Sequence, residues 1–204
     1  MSRVLITAFK PYGEWQTNAS WLALVDLTQE MPPEPQITTR LYPVNFSEVR
    51  QLLATDLADN YDLAIHVGQA PGSECVQLEA IGLNVGREAN DGADFALVDD
   101  GPVAYRTPLP LDQWAQSLTS AGVPTRVSYH AGTYLCNATL YLSQHLSEVH
   151  AYQTQSLFIH VPLAPSQLNG EAKTLHSLPV ELASRAIRLI LEQCATRDSE
   201  TSLL

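Results

Sequence analysis

The chemistry available to this chain starts with its thiols and imidazoles, three cysteines and six histidines. Cys136 sits in the string Ala131-Gly132-Thr133-Tyr134-Leu135-Cys136-Asn137. Before it, Thr125 to Tyr129 alternates and carries β-branched and aromatic residues, which predicts a strand. After it, Leu135, Thr139, Leu142, Leu146 and Val149 recur at helical spacing. The Ala-Gly pair then makes a turn, Thr133 is the expected N-cap, and Cys136 falls in the first helical turn. A thiol at that place meets unpaired backbone N–H groups and the positive end of the helix dipole, both of which favour the nucleophilic thiolate. The competing role for any cysteine is buried apolar filler. That is the reading for Cys194, which shares a helical face with Val180, Ala183, Ile187, Ile190 and Leu191.

A nucleophilic thiol needs a base that takes its proton and returns it to a leaving group, and histidine is the usual choice. His145 and His150 lie too far along the helix of Cys136 to reach it. His66 falls inside an apolar strand and reads as a core imidazole, and nothing near His176 recommends it. His130, on the turn before Cys136, is one candidate base. His160 is another, at the end of the strand that follows the Cys136 helix, where a right-handed strand–helix–strand crossover would bring it beside the helix start. The orienting third member should be a carboxylate or amide. Glu79 is an acid within an alternating apolar strand, but spacing alone does not select it over Glu74, Asp91 or Asp99. Cys136, His130 and His160 together would also make metal ligands. No C-x-x-C or H-x-x-x-H spacing supports that, so neither metal nor cofactor is expected.

These residues must be positioned by a chain of 204 residues, long enough for one domain over 1–204 with a core of its own. Hydrophobic residues make up 45% and mean hydropathy is −0.06, values of a soluble globular protein. A net charge of −11 argues against nucleic acid and anionic membrane as partners. No apolar run reaches spanning length. The odd, unpaired cysteine count points to a reducing cytoplasm, where the sequons at Asn18 and Asn137 carry no meaning.

Strands are predicted at Arg3–Ala8, Ile37–Val44, Asp62–Val67 and Ser156–Val161. Helices are predicted after an Asn18 or Ser20 cap, after an Asn45-Phe46-Ser47-Glu48 capping box, over Leu111–Ala121, and from Pro179 onward, with a frayed tail from Thr196. Cys75–Leu83 reads as a strand of an inserted hairpin and Val85–Arg106 as a polar loop. The alternation predicts an α/β fold with a mostly parallel sheet, with ligands at the carboxyl ends of the strands. The loops after Ala8 and Val67 and the one holding Cys136 converge on that edge.

Several blocks, in order, resemble pyroglutamyl peptidase I, also called pyrrolidone-carboxylate peptidase. The two signature blocks are Tyr129–Asn137 and Phe158–Gln167. Thr7–Gly13, Asn18-Ala19-Ser20, Val67–Ala70, Glu79–Asn84, Gly101–Tyr105 and Leu109-Pro110 add to them. The resemblance implies a three-layer α/β/α sandwich with a mixed, mostly parallel twisted sheet. It implies a cysteine peptidase that removes N-terminal pyroglutamate (5-oxoproline) from peptides through a thioester, often as a tetramer. It assigns Cys136 as nucleophile, His160 as base and Glu79 as orienter. Phe9 and Tyr12 become walls for the pyrrolidone ring, and Gln69 the reader of its amide. Departures from the family pattern cluster around the substrate: Ala8, Lys10, Glu14, Ala19, Ala80 where an Arg is common, and a shortened 85–92 loop with Arg87 displaced and Asn90-Asp91 reversed. They leave two alternatives, a related amide or lactam-acyl hydrolase and a non-catalytic binder of blocked N-termini.

Overall fold

A computed structural model describes residues 2–88, 92–169 and 173–201; Asn90 and Asp91, singled out above, lie outside them. The main sheet has six strands in the order β2-β1-β3-β8-β4-β7. They are β1 (Arg3–Phe9), β2 (Gln36–Tyr42), β3 (Leu63–Gln69), β4 (Val76–Glu79), β7 (Thr125–Ser128) and β8 (Gln155–Val161). β1, β2, β3 and β8 run parallel, whereas β4 is antiparallel to β8 and parallel to β7. A second, two-stranded antiparallel sheet pairs β5 (Ile81–Leu83) with β6 (Ala104–Arg106).

Helices cover both faces. α1 (Ala19–Gln29), α3 (Leu111–Ser120) and α5 (Val180–Thr201) pack on one side around Ile6, Ile65, Trp114 and Ile159. α2 (Phe46–Leu57) and α4 (Leu135–Val149) pack on the other around Leu5, Leu53, Ala138 and Phe158. The result is a three-layer α/β/α sandwich with a mixed sheet. Because β3 is covered on both faces, every one of its residues is buried, and its sequence shows little alternation. Of the two caps the sequence offers for α1 it is Asn18 that forms, and Asn45 caps α2. Asn18 Oδ1 accepts from Ser20 N at 3.0 Å, and Asn45 Oδ1 accepts from Glu48 N at 3.0 Å. Gly122, at φ 83°, ends α3.

Four sequence expectations change. Cys75–Leu83 is two strands rather than one: at Ala80 the chain leaves the main sheet, its N–H donating to Ser128 and its carbonyl accepting from Thr107 N. The predicted polar loop thereby supplies β6. β7 runs antiparallel to β8, so the segment around Cys136 is not a parallel strand–helix–strand crossover. What brings Cys136 to His160 is simpler. α4 has 15 residues and β8 has 7, each spanning about 22–23 Å, so the helix starts where the returning strand ends. Third, the N-cap of α4 is Tyr134 in an extended conformation, and no side chain caps this end. The turn forms at Gly132, at φ 80°, as expected, but the cap falls one residue later than Thr133. Fourth, α5 continues through Thr201 past the predicted tail, since no Gly or Pro interrupts it.

Candidate active site

Cys136 is the second residue of α4, half-buried, at the carboxyl edge of the parallel strands. Gly68 on β3 lies directly beneath it. A Cβ at position 68 would stand 3.1 Å from Cys136 Sγ and 2.7–2.8 Å from the Phe158 ring, so only glycine leaves room for the sulfur. Gly68→Ala is therefore expected to lower kcat and to destabilise the fold by about 1–3 kcal/mol. Thermal unfolding and steady-state rates check this; a variant with normal values for both would contradict the packing.

His160 and Glu79 come from neighbouring antiparallel strands. In the register of β4 on β8, Glu79 stands opposite Phe158 and Gln77 opposite His160. Glu79 therefore reaches diagonally, and its Oε1 lies 2.7 Å from His160 Nδ1. The carboxylate is fully buried and the imidazole nearly so. Glu79 Oε2 is buried with no protein hydrogen-bond partner among the described residues. Cys136 lies near enough to the imidazole to act on its charge. Burial alone would push the ring's pKa down, but the nearby Cys136 and then Glu79 outweigh it and raise it to about 10. That favours an imidazolium paired with the sulfur.

Beside the sulfur opens a small pocket whose walls include Phe9, Tyr12, Val44, Gly68, Gln69 and Tyr134. Its largely apolar lining suits a flat, neutral ring. The Gln69 amide is oriented by its neighbours. Oε1 accepts from Ala19 N and from Gln167 Nε2, both at 2.7 Å, while Nε2 is buried without a protein partner among the described residues. Tyr12 lies beside Gln69 and Cys136, and burial, with Cys136 adding to it, raises its pKa to about 12, so the hydroxyl stays neutral.

The structure thus brings Cys136, His160 and Glu79 together, with Phe9, Tyr12 and Gln69 in the adjoining pocket. The other histidines go elsewhere. His66 is fully buried between Thr7 Oγ1 (2.8 Å) and Ser143 Oγ (3.0 Å), and burial pushes it down to about 3. His130 is exposed and accepts from Gly132 N, His145 hydrogen-bonds Tyr105, and exposed His176 faces Glu74 at 3.3 Å. Asp99 is exposed. No group of three His, Cys, Asp or Glu side chains suited to a metal ion occurs among the described residues, and among these no helix is long and apolar enough to cross a membrane.

Two positioning residues were not singled out from the sequence. Asn137, fully buried, accepts from Leu83 N at 2.8 Å and donates to the carbonyls of Leu83 and Val85, which clamps β5 to the start of α4. Gln167 donates to Gln69 Oε1 and Thr17 O and accepts from Ala164 N. A polar residue inside each signature block was the only available signal.

Residues 2–197 match the family model described as pyroglutamyl peptidase. Among similar curated proteins, the pyrrolidone-carboxylate peptidase of Streptomyces coelicolor is 34% identical over 100% of this chain and 96% of its own. That of Pyrococcus furiosus is 32% identical over 93% of this chain and 96% of its own. Among solved structures, the pyrrolidone carboxyl peptidase of Fervidobacterium islandicum AW-1 superposes with a TM-score of 0.89 at 33% identity, covering 96% of this chain and 99% of that one.

Proposed function

The chain belongs to the pyroglutamyl peptidase family of cysteine-type peptidases, and from that premise we propose that it removes N-terminal pyroglutamate from peptides by a Cys136–His160–Glu79 triad. The observation that carries this reading is the buried 2.7 Å contact of Glu79 with His160, in the neighbourhood of a thiol at an uncapped helix start.

The lactam ring enters the pocket between Phe9 and Tyr12. Gln69 Nε2, the unpartnered donor, reads its ring carbonyl. A ring without that carbonyl would leave the amide unpaired, so the site rejects it. The Cys136 thiolate attacks the carbonyl that pyroglutamate contributes to the peptide bond. Backbone N–H groups of the first turn of α4, which no side chain caps, stabilise the oxyanion. As the C–N bond breaks, the His160 imidazolium protonates the departing amine, leaving a thioester. The neutral imidazole then takes a proton from water, which attacks the thioester, and the thiolate leaves with pyroglutamate free. Glu79 holds Nδ1–H throughout and offsets the imidazolium charge.

Three departures from the family pattern do not touch the ring pocket. Ala8 is fully buried in the core beside α1, Lys10 faces solvent, and Ala80 marks the bend between sheets. The pocket wall therefore argues for pyroglutamyl specificity over an altered acyl substrate. Assembly into a homo-oligomer and a reducing, cytoplasmic setting for the thiol belong to the same proposal.

The test is release of fluorophore from pyroglutamyl-7-amido-4-methylcoumarin, with and without a thiol blocker. Thiol-sensitive release is expected, and binding without turnover would favour a binder. Gln69→Leu should narrow the preference for pyroglutamyl over prolyl amide by about tenfold or more, as expected when a buried donor is lost. An unchanged preference ratio would remove Gln69 from recognition.

A further inference from the structure

Along the carboxyl edge of the main sheet, the order of strands is also an order of chemistry. The ring pocket lies over β1 and β3, with Phe9, Tyr12 and Gln69 in its wall. The Cys136 sulfur stands over Gly68 of β3, His160 is on the next strand, β8, and β4 lies beyond it. An acyl group seated over β1 and β3 with its carbonyl at Cys136 must send its amine past His160, toward β4.

At that place on β4 stands Gln77. It is directly opposite His160 in antiparallel register, so the two side chains share a face of the sheet, as does Glu79 two residues on. Unlike Glu79, Gln77 is only half-buried. Its amide is held in one orientation. Nε2 donates to Ser73 Oγ at 2.6 Å, and the Ser73 hydroxyl donates in turn to Cys75 O at 2.8 Å. With its only proton given to Cys75, the Ser73 hydroxyl can only accept from Gln77. The amide nitrogen must therefore face Ser73, and Oε1 is turned away from it as an acceptor. What an acyl peptide presents on its leaving side is a run of backbone N–H donors.

We infer that Gln77 is a binding residue for the leaving peptide, its Oε1 accepting a backbone N–H from a residue beyond the scissile bond. This rests on the pyroglutamyl reading above and extends it to the other side of the bond. It gives the enzyme a preference for true peptides over amides whose leaving group carries no such N–H. Ser73 acts through Gln77 as a positioning residue.

The experiment compares kcat/KM for pyroglutamyl-alanyl-alanine amide with that for pyroglutamyl-7-amido-4-methylcoumarin, in the wild type, Gln77→Met and Ser73→Ala. The peptide-to-coumarin ratio is expected to fall about fivefold in Gln77→Met, mostly through KM for the peptide, as fits one lost hydrogen bond. In Ser73→Ala it should fall by a smaller factor in the same direction. A general disturbance of the site would lower both substrates alike and leave the ratio in place; that result overturns the inference while the pyroglutamyl reading stands. A wild type that cleaves neither substrate overturns both.

Discussion

Cys136→Ser is expected to abolish turnover, by more than about 10⁴-fold, with the thermal unfolding midpoint nearly unchanged. Oxygen replaces sulfur at similar size in a half-buried position over Gly68, so the packing of Phe158 beneath it is kept. What disappears is the sulfur at the helix start, the more nucleophilic of the two atoms. His160 should register the loss independently of activity. Cys136 is the foremost of the influences that raise the imidazole to about 10 against the pull of burial. In the serine variant the His160 ring resonances should therefore titrate at lower pH than in the wild type. Retained activity, or an imidazole that titrates as before, would separate Cys136 from His160 and end the pairing.

Glu79→Gln is expected to slow the reaction by about 10²–10⁴-fold, the range set by losing both the tautomer and the counter-charge of a triad imidazole. An amide at 2.7 Å from Nδ1 can still accept a hydrogen bond, but it can also rotate and donate, which holds the wrong tautomer. The sign of the accompanying pH effect follows from the geometry. Glu79 is one of the groups that lift the His160 pKa to about 10, so without its charge the imidazolium deprotonates at lower pH. The alkaline limb of kcat/KM, where the general acid for the leaving amine is lost, should move down in pH rather than up. A full-rate variant with an unmoved limb would mean that another group orients the imidazole.

The layered fold and most of its elements were legible in the sequence, and the reasons are local. Asn18 and Asn45 are side chains that cap their own helices, and the nearly all-apolar run of β3 announces a strand covered on both faces. The thiol at a helix start was legible in the same way. The acid was not. Glu79 reaches His160 only through the antiparallel register of β4 on β8, a contact between residues 81 apart. Spacing therefore left it level with Glu74, Asp91 and Asp99, and only the family resemblance selected it. The direction of β7 was missed for a related reason. A strand followed by a helix and a strand reads as a parallel crossover, and nothing in Thr125–Ser128 reveals that it pairs with β4 rather than β8. Thr133 was expected to cap α4 because threonine is a good cap, yet Gly132 turns the chain so that Tyr134 occupies that place. The uncapped first turn is a local rule broken where the chemistry is proposed to need free donors.

Acid-quenching the enzyme during turnover of a pyroglutamyl substrate and weighing its proteolytic fragments tests the covalent step itself. The fragment that contains Cys136 should carry the mass of one pyroglutamyl group, and Cys136→Ser should carry none. Steady turnover with no mass on any fragment, or with the acyl group on Cys75 or Cys194, would contradict a thioester at Cys136.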